Sequence, residues 1–101
     1  MLKNQRDMKE MYIIKVVEIT DDIECRVIVV NSKEDMMEWF NNYADTYKEM
    51  IEASDGDLTL DDETIELEVN YPYVQIVTAD GDWTYTAELE QAYDAEGIRI
   101  L

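Results

Sequence analysis

The chain has 101 residues, with 25 Asp and Glu against 8 Lys and Arg, a net charge of -17 and no histidine. At 47% hydrophobic residues it is a folding sequence of one domain's length, not a solvated acidic coil. The charge excludes an ordinary nucleic-acid binder, which must be basic to meet phosphates, and disfavours anionic membrane surfaces. The missing histidine removes the commonest general base and metal ligand.

Residues 1–10 are polar and read as a loose N-terminal segment; residues 11–101 read as a single domain. Lys3, Arg6 and Lys9 are not followed by a run suited to a signal peptide. No stretch approaches the ~20 apolar residues of a membrane span. A cytoplasmic protein is expected. Residues 11–20 are rich in β-branched side chains (Ile13, Ile14, Val16, Val17, Ile19, Thr20), as are residues 23–30. Asp21-Asp22 between them predicts an antiparallel hairpin. In the second run Ile23, Cys25, Val27 and Val29 share one face, while Glu24 and Arg26 begin the other and Ile28 and Val30 follow on it, which predicts a central strand pair covered on both faces at one end. The lone Cys25 excludes an intramolecular disulfide and reads as a buried, reduced thiol.

Ser32, followed three residues later by Asp35, is a capping-box-like helix start, and Glu34 and Asp35 suit the positive end of the helix dipole. A helix is predicted from Lys33 to Ala53, with Met36, Met37, Phe40, Tyr43, Ala44, Tyr47, Met50 and Ile51 on one face at about 100° per residue. Gly56 is a natural stop. Residues 58–63 read as an acidic connector and residues 64–70 as a strand with Ile65, Leu67 and Val69 inward. Tyr71-Pro72 marks a turn. Residues 73–79 form another strand, and Asp80-Gly81-Asp82 predicts a hairpin turn. Residues 83–90 form the next strand, with Trp83, Tyr85, Ala87 and Leu89 on one face. Residues 91–96 suit one helical turn, and residues 98–101 a short last strand. The order is ββαβββ: an α+β fold with one long amphipathic helix packed on an antiparallel sheet.

The acids are distributed unevenly. Residues 49–98 hold 15 acids and no Lys or Arg, whereas the first 48 residues hold 10 acids and 7 bases. On the predicted helix, Glu34, Glu38, Asp45, Glu49 and Glu52 project within about 60° of one another, opposite the apolar face. The stripe is about 27 Å long, and acids four residues apart are about 6 Å apart along the axis, comparable to successive phosphates of a nucleic-acid strand. A charged outward face is ordinary for a helix. Here the sign is unmixed, each i,i+4 acid pair costs stability, and the net charge far exceeds the magnitude of about 2 to 8 that solubility needs. Such a field suits steering towards a basic partner. Asp55, Asp57, Asp61, Asp62 and Glu63 would extend the contact line. Glu66, Glu68, Glu88 and Glu90, on outward strand positions, would form a second patch. Trp39, at the edge of the apolar helix face, is the best single candidate for an aromatic interface anchor, ahead of Tyr71 and Tyr73.

Small, histidine-free, acidic α+β chains of this kind resemble the DNA-mimic inhibitors encoded by phages, among them anti-restriction proteins, uracil-DNA glycosylase inhibitors and anti-CRISPR proteins. The resemblance lies in composition, in the Glu34–Glu52 stripe and in the base-free residues 49–98. It implies a mechanism in which carboxylates stand in for phosphates and occlude the cationic channel of a nuclease such as a CRISPR effector, pairing with its arginines. The expected protein is an inhibitor and not an enzyme, acting without a cofactor and without touching nucleic acid itself, as a monomer or as a homodimer whose acid stripe would repel its own copy. Other readings remain: an acidic interaction module without mimicry, or a calcium-binding domain. Asp55, Asp57, Thr59, Asp61, Glu63 and Glu66 fall at positions 1, 3, 5, 7, 9 and 12 of a helix-flanked calcium loop, although Leu60 occupies the position that requires glycine. A carboxylate-pair enzyme would need a cleft that a chain of this length hardly builds, and no Ser–His, Cys–His or glycine-rich phosphate motif is present.

Overall fold

The computed structural model describes residues 10–67, 72–78 and 83–101. Among these residues five strands and one helix follow the order ββαβββ: β1 (Met11–Ile19), β2 (Ile23–Val30), α1 (Lys33–Ala53), β3 (Leu60–Glu66), β4 (Tyr73–Thr78) and β5 (Thr84–Tyr93). All pairings are antiparallel, and the strands lie side by side as β2-β1-β5-β4-β3. The hairpin of β1 and β2 thus occupies one edge, and the last strand inserts between β1 and β4. Among the described residues no helix is long and apolar enough to cross a membrane.

The helix begins as its sequence dictates. The Asp35 amide donates to Ser32 Oγ at 3.0 Å, satisfying one of the amides that the first turn leaves free. At the other end Ser54 caps the helix, and Asp55 and Gly56 take positive φ values of 55° and 95°, a conformation that Gly56 adopts without strain. The apolar face of α1 lies on one side of the sheet. Met36, Phe40, Tyr43 and Ala44 are buried against Tyr12, Ile14 and Val16 of β1, Val74 and Ile76 of β4, and Tyr85, Ala87, Leu89 and Ala92 of β5. Phe40, Ile14 and Ile76 are fully enclosed, and truncating Phe40 to Ala would cost about 3–5 kcal/mol.

Strict alternation along β1 buries Tyr12, Ile14, Val16 and Glu18. Along β5 the alternation breaks once. Ile13 pairs with Gln91 but Ile14 pairs with Leu89, so Glu90 is an extra residue and the buried set shifts from Tyr85, Ala87 and Leu89 to Ala92.

Several expectations need correction. The strand β3 starts at Leu60, so most of the supposed acidic connector is itself a strand. Residues 91–93 extend β5 instead of forming a helical turn, because the bulge at Glu90 restores a buried position at Ala92. The last residues contribute a single bridge, between Tyr93 and Arg99. The strand β2 is an edge strand with one bare face: Ile23, Val27, Val29 and Cys25 are exposed, so the hairpin is not covered on both faces and the thiol is not buried. The loose segment expected at residues 1–10 lies, for residues 1–9, outside the described residues. So do Tyr71 of the Tyr71-Pro72 turn, the Asp80-Gly81-Asp82 turn, and Glu68 and Val69.

Candidate functional site

The outward face of α1 bears Glu34, Glu38, Asp45, Glu49 and Glu52, and all five are exposed. They share one side because the apolar spacing of the helix fixes which way it faces, and the acids lie half a turn away from Phe40 and Ala44. Among the described residues the ion pairs are Arg26–Glu18 at 3.3 Å and Lys48–Glu63 at 3.5 Å, and neither involves the stripe. Among the described residues all five carboxylates are thus exposed and outside any ion pair, and Lys48, four residues from Glu52, pairs with Glu63 instead. The last turn of α1 holds no basic residue, so Glu49 and Glu52 also lie against the negative end of the helix dipole.

The extension of this line is less continuous. Asp55 and Asp57 are exposed in the turn after α1. In β3, Glu63 is in register with Ile76 on the helix side and reaches Lys48, which offsets its charge. Asp62 and Glu66 are exposed but in register with Val77 and Tyr73, on the sheet face turned away from α1. Asp61 lies at the irregularity between Leu60 and Asp62, and Glu68 is outside the described residues. On that same far face, Glu88 is in register with Tyr73 on one side and with Lys15 on the other, while Glu90 is exposed at the bulge. The calcium-loop spacing is not folded as a loop: from Leu60 onward the backbone is extended, which spreads those carboxylates along a strand.

The sequence reading missed Glu18. It is 6% exposed, on the helix side of β1. Its Oε2 accepts hydrogen bonds from the Tyr43 hydroxyl at 2.9 Å and from the Tyr47 hydroxyl, and its Oε1 accepts from Arg26 Nη1 at 3.3 Å. Three donors make this buried carboxylate tolerable. Burial, then the bond to Glu18, pushes the Tyr47 phenol up to about 12 and the Tyr43 phenol well above its ordinary range. Burial works against the charge of Arg26, but the Glu18 carboxylate and the two tyrosines outweigh it and hold the guanidinium above its usual value. Alternation could have revealed the site, since Glu18 has the same parity as Tyr12, Ile14 and Val16.

Rings continue outward from this cluster. Tyr85 stacks on Tyr47 at 4.2 Å, Tyr47 tilts against Tyr43 at 4.8 Å, and Tyr43 stacks on Trp39 at 5.1 Å. Trp39 also meets Phe40 edge-on at 5.3 Å. Trp39 is half-buried, at the margin of the core. Arg26, Trp39, Asn42, Tyr43, Thr46 and Tyr47 line an open cavity of about 200 Å³ beside the stripe. That is below the size of most small-molecule sites but enough for one protein side chain.

No protein-family model, curated protein or solved structure matches the chain.

Proposed function

We propose that the protein is an acidic nucleic-acid mimic, of the anti-CRISPR or a related anti-defence class. It would occlude the cationic nucleic-acid channel of a nuclease or another nucleic-acid enzyme in the host cytosol. The observation that carries this reading is the stripe: Glu34, Glu38, Asp45, Glu49 and Glu52 in a line about 27 Å long, exposed and in no ion pair among the described residues. A channel built for phosphates meets such a line with arginines, and carboxylates accept the same paired donors. Asp55 and Asp57 prolong the line beyond the helix end. Trp39 and the cavity beside it would supply an apolar anchor next to the charged contact. On this reading the protein performs no reaction and needs no cofactor; it competes for a surface.

The test is competition. Purified nucleases, restriction enzymes and repair glycosylases, each loaded with labelled DNA, are titrated with the protein at several salt concentrations. Displacement of the DNA, with an affinity that falls steeply as salt rises, supports mimicry. If the protein binds one of these enzymes without displacing nucleic acid, an interaction module is the better description. If no phosphate-handling enzyme is bound at low salt, the reading is wrong.

A further inference from the structure

The sheet has two faces, and α1 covers only one. On the other, the hairpin presents Met11, Ile13, Val17 and Ile19 from β1 beside Ile23, Cys25, Val27 and Val29 from β2. Ile23 is 71% exposed, Val27 61%, Val29 52% and Ile19 42%. Isolated exposed apolar residues need no explanation, but this is a contiguous row on adjacent strands. At its Ile28–Val30 end β2 is apolar on both faces, the pattern of a strand with a layer above and a layer below, and among the described residues only the helix layer is present.

We propose that this bare hairpin face is where a second copy of the chain packs, sheet against sheet, about a two-fold axis. The inference is independent of the mimicry reading. Charge selects the occupant. The row contains no acid, and its one charge is Lys15, which is in register with Val27 on β2 and Glu88 on β5. Within the hairpin, Glu18 and Glu24 are paired with each other on the helix side, and Asp21 and Asp22 lie in the turn at its end. The stripe lies on the opposite side of the sheet, and the acids of β3 lie at its far edge. The flanking β5 adds one acid in strand register, Glu88, beside Lys15 of the same copy, with Glu90 at the bulge, so two chains of charge -17 can meet here with far fewer carboxylates opposed than on the helix side. A two-fold axis sets the same patch against itself, so one apolar row covers another.

The area is sufficient but modest. Strands of about nine residues at ~3.3 Å each, taken with the flanking β5, present roughly 400 Å² in projection. Two copies would bury on the order of 1,000 Å² of accessible surface, near the lower bound for a specific interface. The dimer should therefore form in the micromolar range. Because the interface is apolar and the chains repel at long range, added salt should tighten it.

Sedimentation of the full chain across a concentration series tests this, together with the Val27→Glu/Val29→Glu variant. Both positions are more than half exposed, so the variant should keep its far-ultraviolet circular dichroism. The expected result is a micromolar dimer for the wild type and a loss of affinity of about a hundredfold or more for the variant, from carboxylates forced into an apolar contact. In the wild type, modification of the Cys25 thiol by a disulfide reagent should slow as protein concentration rises through the dimer range. A wild type that stays monomeric up to 0.5 mM would overturn the proposal. So would a dimer that the variant leaves intact, or one in which the Cys25 thiol reacts at the same rate at every concentration.

Discussion

The two faces of α1 use carboxylates in opposite ways. Against its inner face, Glu18 is enclosed and held by Tyr43, Tyr47 and Arg26, and it ties β1, α1 and the edge strand β2 together. On its outer face, Glu34, Glu38, Asp45, Glu49 and Glu52 are exposed and have no such partners among the described residues. The chemical group is the same, and its surroundings decide whether its charge becomes cohesion or an outward field. A buried carboxylate with three donors contributes through the cost of separating them. An exposed row contributes little to folding, and opposes it slightly through like-charge repulsion, but it projects a potential well beyond the molecular surface.

The largest expected effect lies on the inner face. Glu18→Ala leaves the Tyr43 and Tyr47 hydroxyls without their acceptor and Arg26 without its carboxylate. Breaking a fully buried pair costs about 3–5 kcal/mol, and each stranded hydroxyl about 1–3. Arg26 is half-exposed and can turn to water, so the total should be about 3 kcal/mol, read as a lowered midpoint in denaturant unfolding. Neutralising any one acid of the stripe should cost nothing comparable. If the two substitutions proved equally harmful, the contrast between the faces would collapse. The tyrosines give the cluster a pH signature. With the folded pKa of Tyr47 raised to about 12 and that of Tyr43 higher still, their contribution is complete below the ordinary phenol value near 10. It is lost as pH rises towards and past 12, because the unfolded chain ionises first. Unfolding at stepped alkaline pH should therefore show stability falling above about pH 10, with a shallower fall in Tyr47→Phe.

On the outer face the expected change is kinetic. Reversing Glu38, Asp45 and Glu49 to Lys should slow association with a cationic target at least about tenfold, equivalent to roughly 1.4 kcal/mol, while the unfolding midpoint holds or rises. Stopped-flow association at low and moderate salt separates steering from contact, since only steering fades with ionic strength. Unchanged inhibition after this reversal would remove the stripe from the contact surface and shift attention to Asp55 and Asp57, or to the far-face acids Asp62 and Glu66.

Much of this arrangement was legible in the sequence, and the misreadings share a cause. The limits of α1 follow from Ser32 and the 3.6-residue apolar period, and the stripe follows from the same period. The start of β3 did not, because Leu60-Asp61-Asp62-Glu63 carries too many acids to look like a strand. An edge strand needs only its backbone paired and can turn acids to water, as Asp62 does. Glu90 hid the end of β5, since one bulged residue reverses the parity on which inward and outward assignments rest. In β2, Ile28 and Val30 following Glu24 and Arg26 pointed to a strand covered on both faces at one end, but which strand ends at an edge is decided by long-range pairing and not by local sequence. Glu18 went unnoticed because a lone acid among Val and Ile looks like an interruption, when its parity placed it inside.

The smallest expected effect sharpens the comparison most directly, because it asks whether the stripe is costly to the helix that bears it. The final turn of α1 has Glu52 and no basic residue, against the partial negative charge of its unpaired carbonyls. Glu52→Lys would replace an unfavourable dipole interaction with a favourable one and place a cation four residues from Lys48 but three from Glu49. The gain should be about 0.5–1 kcal/mol, or a rise of a few degrees in the thermal midpoint of a domain this size. A sequence shaped for stability alone would place Lys at such a position. If the substitution raises the midpoint while weakening target binding, the acid is retained against its structural cost. If it lowers the midpoint, Glu52 has a stabilising role that the exposed geometry does not account for, and the argument that the outer face serves a partner loses one of its supports.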